Sequence, residues 1–243
     1  MTIEPLAQTP LAIASAAAAS RDDQLPEALS AYRPNVSVLL VSPRHPRRVW
    51  CATRVDDPYR AWQCPQGGID PGETALTAAL RELEEETAVR SVRVVGATGW
   101  LHYDFPDWVR AKLRPGMLKY KGQAQRWYLM LYTGEPGVPG ENEQIVAKGA
   151  GDGGVAEADD EEGCAEVDLS GGGQHQREFS AWAWRPLERL PLDVSDFKSS
   201  VYGAVAKEFG AVLGELEAAG ALRRVAEEVA MRNKNEEATT GNE

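Results

Sequence analysis

Glu82, Glu85 and Glu86 stand at i, i+3 and i+4 of a segment that reads as helix, so their carboxylates share one helical face. Like charges at that spacing repel and cost stability unless a divalent cation neutralises them. Oxygen-only donors favour Mg²⁺, with Mn²⁺ as the alternative, over zinc. Taken alone, an acidic triplet is commonly no more than a solvated face. What precedes it changes that reading: Gly67-Gly68-Ile69-Asp70-Pro71-Gly72-Glu73 is a glycine-rich loop that can hold unusual backbone angles and bring amides to a phosphate. A second feature lies between Asp107 and Arg126, where Arg110, Lys112, Arg114, Lys119, Lys121 and Arg126 face one acid, a local net of +5 in a chain of net charge −11. Such a patch suits a chain of phosphates, and Tyr103 beside it offers an aromatic face and a hydroxyl donor. His45, His102 and His175 are too far apart in sequence to mark a histidine zinc site.

The elements that must position these groups follow from periodicity. Asn35 to Val41 and Val49 to Val55 read as two strands of a hairpin around Ser42-Pro43-Arg44-His45-Pro46. Thr74 to Glu86 is predicted helical, with Leu76, Leu80, Leu83 and Thr87 as its inward stripe. Val92 to Tyr103, Gln125 to Thr133 and Arg177 to Trp184 read as further strands. A closing helix is expected from about Asp196 past Arg224, with Phe197, Val201, Val205 and Phe209 facing inward. From Gly134 to Gly173 the chain is rich in Gly, Glu and Asp and poor in large apolar residues. This predicts a disordered acidic insertion, its flexible part at about 135–164. Residues 1–29 read as a disordered tail, 30–212 as the catalytic domain, and 213–243 as a C-terminal helical extension with a charged end.

Net charge −11 argues against a general nucleic-acid binder, which needs a broad basic face, so no DNA partner is expected and any polyanion site must be local and metal-assisted. No segment has the ~18 to 20 apolar residues of a membrane span. Cys51, Cys64 and Cys164 form no CxxC pair, which fits a reducing intracellular compartment. The first 20 residues are Ala- and Ser-rich and lack Lys and Arg, so a cytoplasmic location is expected, with chloroplast or another organelle as the alternative.

Gly67, five residues, Glu73, seven residues, then Arg81-Glu82-Leu83-Glu84-Glu85-Glu86-Thr87-Ala88-Val89 resembles the Nudix box at every defining position but one. Ala88 stands where that family has glycine, and alanine takes up a left-handed helix exit only at ~1 to 2 kcal/mol. The resemblance implies an α/β/α sandwich with a mixed sheet and a Mg²⁺-dependent pyrophosphohydrolase. In it Glu82, Glu85, Glu86 and the Gly67 carbonyl bind metal, Arg81 orients the carboxylates, and Glu73 and Gly68 belong to the supporting loop. Tyr32-Arg33-Pro34-Asn35-Val36, Trp62 to Gly68, Tyr103-Asp104-Phe105-Pro106 and Lys121 to Trp127 resemble the branch of plant asymmetrical diadenosine tetraphosphate hydrolases and bacterial RNA pyrophosphohydrolases. By that resemblance Glu178, before Phe179, is the general base or a further metal ligand, and Tyr103, Lys121, Arg33 and Arg54 contact substrate. The expected reaction is uneven cleavage of diadenosine tetraphosphate to ATP and AMP. Behind it come pyrophosphate removal from triphosphorylated RNA 5′ ends, then guanosine tetraphosphate or nucleotide-sugar hydrolysis. A non-catalytic nucleotide-binding module is the reading from a different class.

Overall fold

The computed structural model describes residues 24–57, 59, 61–137, 163–171 and 176–240, the side chains of 236–240 excepted. Residues 1–23, most of the expected disordered tail, and 138–162, the heart of the expected insertion, lie outside them; of the tail's last residues, Glu27–Leu29 form a short 3-10 turn.

The predicted hairpin is present as β1 (Arg33–Ser42) and β2 (His45–Arg54). β1 runs into the centre of the sheet because its residues alternate between two apolar layers. Val36, Val38 and Leu40 enter one core cluster, and Leu39 and Val41 enter the other. Two short strands follow, β3 (Trp62–Gln63) and β4 (Gln66–Gly68), the latter antiparallel to β1 with Val36 opposite Gly67. The helix α1 (Ala75–Thr87) comes next, capped by Thr74, whose hydroxyl accepts from the Thr77 amide at 3.1 Å. β5 (Val92–Asp104), the short helix α2 (Asp107–Arg110) and β6 (Gly122–Tyr132) complete the middle of the chain. β6 is buried at every position and pairs parallel with β1 from Arg33 opposite Gln123 to Val41 opposite Leu131. A strand covered on both faces reads as a continuous run rather than an alternation. β7 (Pro136–Gly137), β8 (Gly163–Cys164) and β9 (Phe179–Pro186) follow, β9 antiparallel to β2. The main sheet is mixed, ordered β3-β2-β1-β6-β5, with β4 on β1 and β9 on β2. After the short α3 (Leu190–Asp193), α4 (Ser199–Ala218) and α5 (Ala221–Thr240) cover the face opposite α1, giving the expected α/β/α sandwich.

Three expectations change. The expected stripe of α1 holds at Leu83 and Thr87, which are buried, and at Leu76, which packs against the same cluster, but Leu80 is 39% exposed and Ala75, Ala78 and Ala79 fill the seam in its place. Small alanines let the helix lie close on the sheet. The single closing helix is two: Gly220, at φ 65°, sits at the break after Ala218 and the chain turns into α5. Leu222, Val225 and Val229 of α5 share a core cluster with the sheet and α4, so 213–243 is no appendage at its start but part of the domain. The flanks of the insertion are ordered as well. β7 pairs with β8, and Cys164 and Val167 are buried against the α1 side of the sheet, because these few apolar residues find a ready-made groove there. Among the described residues no helix is long and apolar enough to cross a membrane.

Candidate active site

Pairing of β4 with β1 fixes Gly67 and Gly68 against the sheet, and α1 packs back over them. A methyl group at Gly67 would fall on the carboxyl group of Glu82, so the backbone here meets that side chain directly. Arg81 ties loop and helix together. Its Nε and Nη2 donate to the two Glu73 oxygens at 3.0 and 2.9 Å, a bidentate pair. Nη1 donates to Glu82 at 2.9 Å and Glu85 at 3.2 Å, and Nη2 also reaches the Gly68 carbonyl at 2.9 Å. Glu73 in turn accepts from the Asp70 amide at 3.1 Å. The Glu73–Arg81 hydrogen bond lowers the carboxyl's pKa and raises the guanidinium's, so both charges persist at neutral pH.

Glu86 is buried and accepts from the Gln66 amide at 2.9 Å. Burial, then the charge of Glu178, push its carboxyl well above the usual range. Glu82 is pushed up mainly by burial, with Glu85 and Glu178 adding to it and Arg81 opposing. Glu178 reaches this cluster from the start of β9, its carbonyl accepting from the Val55 amide at 2.9 Å and its carboxylate held by Arg54 at 2.6 Å. Arg54 also grips Asp56 at 2.8 Å. Among the described residues no three such side chains are already gathered into a metal cage, since Glu82 and Glu85 turn to Arg81. The donors nevertheless fit a divalent cation. They are all oxygen, one of them is a buried carboxylate under repulsion, and the missing Cβ of Gly67 leaves its backbone open to the same space.

A cavity of about 800 Å³ adjoins the cluster through Gln66 and Arg54. Arg33, Arg54 and Tyr103, the three residues other than Lys121 that the resemblance gives as substrate contacts, line it, and so do Lys112 and Arg114 of the basic segment. Two roles shift. The Tyr103 hydroxyl is spent on Gln123 and the residue is buried, so it contributes a wall rather than a free donor. Lys121 is exposed and absent from the lining, because its amide and carbonyl are bonded to Ala31 and Phe105 and hold it in the connection before β6. Sequence reading missed Phe197 and Lys198. Phe197 packs edge-on against Tyr103 at 5.5 Å. Lys198 Nζ lies 5.9 Å from the Tyr103 ring centre and 3.3 and 3.4 Å from the Gln63 and Gln66 side-chain oxygens. Burial, with the nearby Arg54 charge, pushes its pKa down to about 8. Nothing local marks these two as site residues, since the fold brings them in from the 3-10 turn just before α4.

The RNA pyrophosphohydrolase of Bradyrhizobium sp. (strain ORS 278) is 39% identical over 171 residues, covering 69% of this chain and 83% of that protein. That of Rhodopseudomonas palustris (strain BisB18) is 38% identical over 199 residues, covering 79% and 93%. The chloroplastic Nudix hydrolase 26 of Arabidopsis thaliana is 36% identical over 184 residues, covering 75% and 71%. A family model described as NUDIX domain matches residues 31–204, a stretch that contains the Arg81 network, the four glutamates and the cavity, and the chain therefore belongs to the Nudix family.

Proposed function

We propose that the protein is a Mg²⁺-dependent enzyme that removes pyrophosphate from the triphosphorylated 5′ end of RNA. Hydrolysis of a pyrophosphate bond comes with the family. The observation that carries the reading is a cavity whose lining includes Arg33, Arg54 and Lys198 and the aromatic walls Tyr103 and Phe197, and which meets the carboxylate cluster through Gln66, bonded to Glu86, and Arg54, bonded to Glu178. Cations there match a phosphate chain, and aromatic faces match a base. RNA takes first place over diadenosine tetraphosphate because the bacterial relatives carry that activity in their names and are matched over 83 to 93% of their length.

Glu82, Glu85, Glu86 and the Gly67 carbonyl would hold the ions. When bound, Mg²⁺ would draw charge from the bridging phosphates and lower the pKa of the attacking water. Arg81 keeps Glu82 and Glu85 in place, and Glu73 keeps Arg81. Lys198 and Arg33 hold the phosphates not being cleaved. An entering phosphate competes for Arg54, which releases a Glu178 oxygen to accept the proton of the attacking water. The water oxygen bonds to phosphorus as the anhydride P–O bond breaks, and pyrophosphate leaves.

Asymmetrical cleavage of diadenosine tetraphosphate is the second reading, favoured by the Tyr103-to-Pro106 and Lys121-to-Trp127 segments. A competition assay separates the two: triphosphorylated RNA and diadenosine tetraphosphate are offered together with Mg²⁺, and products are followed for each. The proposal predicts a higher kcat/KM on RNA. Preferential formation of ATP and AMP would reverse the order.

A further inference from the structure

Ala88, where the box departs from glycine, and the ordered return leg of the insertion meet at one place. Ala88 has φ 64° and ψ 0°, a left-handed exit that alanine adopts under strain, and no other non-glycine residue among those described has positive φ. Helix ends leave carbonyls without partners, and here the Thr87 carbonyl accepts from the Asp168 amide at 3.0 Å. One Glu166 carboxylate oxygen accepts from the Arg90 and Ser91 amides, at 2.7 and 3.0 Å, immediately beyond the exit. Against the upward push of burial, these bonds hold the Glu166 carboxyl below its usual range. The Arg90 side chain runs back to Glu84 on α1 at 2.7 Å. Cys164 and Val167 anchor the segment in the same core cluster as Leu83 and Val89. At Gly134 any side chain would strike the Tyr132 hydroxyl and the Glu166 carboxylate, so the groove is cleared for the segment.

We propose that Cys164 to Asp168 is a strap that positions the carboxylate helix: Glu166 and the Asp168 amide hold the alanine exit, and with it the turn carrying Glu85 and Glu86, where glycine would otherwise suffice. Glu166 is thus a positioning residue for the hydrolytic site, supplied by the insertion. The inference rests on α1 being the metal-holding helix, yet its first readout needs neither metal nor substrate.

The test uses the full chain. Hydrogen exchange without metal should show the Arg90 and Ser91 amides and the last turn of α1 exchanging about tenfold faster or more in Glu166→Ala, and within about threefold of wild type in Glu166→Gln, whose amide oxygen still accepts both bonds. Direct Mn²⁺ titration, with no nucleotide present, should show binding weakened about fivefold in Glu166→Ala and restored when Ala88→Gly is added, because glycine takes the left-handed angle without strain. Unchanged exchange in Glu166→Ala, or Mn²⁺ binding that Ala88→Gly does not restore, overturns the proposal. If Glu166→Ala does not fold alone, the double variant must fold, and its failure overturns the proposal as well. A wild-type protein that binds no Mn²⁺ or cleaves no nucleotide would sink the functional reading, while the exchange result would still decide the strap.

Discussion

Gly67→Ala is the sharpest probe of how the loop and helix share one space. The new methyl would coincide with the Glu82 carboxyl group. Ordinary separation between carbon atoms is about 3.5 Å, so that carboxyl must retreat by more than about 1 Å. It cannot do so and keep its 2.9 Å contact with Arg81. Misplacing a reacting or ligating group by about 1 Å costs roughly 100-fold in rate, which is ~2.7 kcal/mol of activation free energy at 1.36 kcal/mol per decade. Stability should change little. Gly67 is not among the positive-φ glycines, so alanine meets no backbone strain, and the displaced group is the end of a flexible side chain. The assay is kcat/KM on triphosphorylated RNA with Mg²⁺, beside a thermal melt. A drop of about 100-fold with a melting temperature within a few degrees of wild type is expected. Activity within threefold of wild type would refute the claim that Glu82 must occupy this position.

Lys198, with its pKa near 8, should bind phosphate only while protonated, so KM is expected to rise as pH passes about 8. Lys198→Met should raise KM about tenfold at pH 7, leave kcat within about twofold and abolish that inflection. Since this lysine's pKa is lower in the folded chain than its ~10.4 in the unfolded one, its own contribution to stability rises with pH between those two values, so lost affinity above pH 8 cannot be ascribed to it through unfolding. Glu73→Gln breaks the bidentate grip on Arg81 and should raise the Mg²⁺ concentration for half-maximal activity about tenfold, as loss of a ligand's supporting partner does; Mg²⁺ titration checks it. Gly220→Ala places alanine at φ 65°, which should cost ~1 kcal/mol and lower the melting temperature by about 2 to 4 °C with activity unchanged.

What could be read from the sequence was whatever is written locally. The hairpin, the helix carrying Glu82, Glu85 and Glu86, and the glycine loop depend on neighbours a few residues apart, and spacing reports those. The seam of α1 was read correctly at Leu83 and Thr87 but misread at Leu80, because hydrophobicity ranks it above Ala78 and Ala79, whereas close packing on a sheet selects the smaller residues. Gly220 was passed over because one glycine inside an amphipathic run does not announce its φ. Cys164 and Val167 were hidden by acidic, glycine-rich surroundings, and their burial depends on a cluster they share with distant residues such as Leu83, Val89 and Tyr132. Phe197 and Lys198 join Tyr103 and Gln66 only through the return of α4 across the sheet, a contact spanning more than 90 residues of sequence that no local pattern encodes. Lys121, which the resemblance places on the substrate, is exposed and outside the cavity lining, with its backbone bonded to Ala31 and Phe105.

The most direct test of the hydrolytic site compares wild type with Glu85→Gln on RNA carrying a 5′ triphosphate, with Mg²⁺ titrated from zero. The variant keeps the shape of α1 and removes one charge from the cluster. Wild type should release pyrophosphate and leave 5′-monophosphate ends, with a rate that saturates in Mg²⁺, while Glu85→Gln should lose at least ~100-fold at saturating metal and retain its melting temperature. Turnover by wild type without any divalent ion, or undiminished turnover by Glu85→Gln, would contradict the assignment of the reaction to these carboxylates.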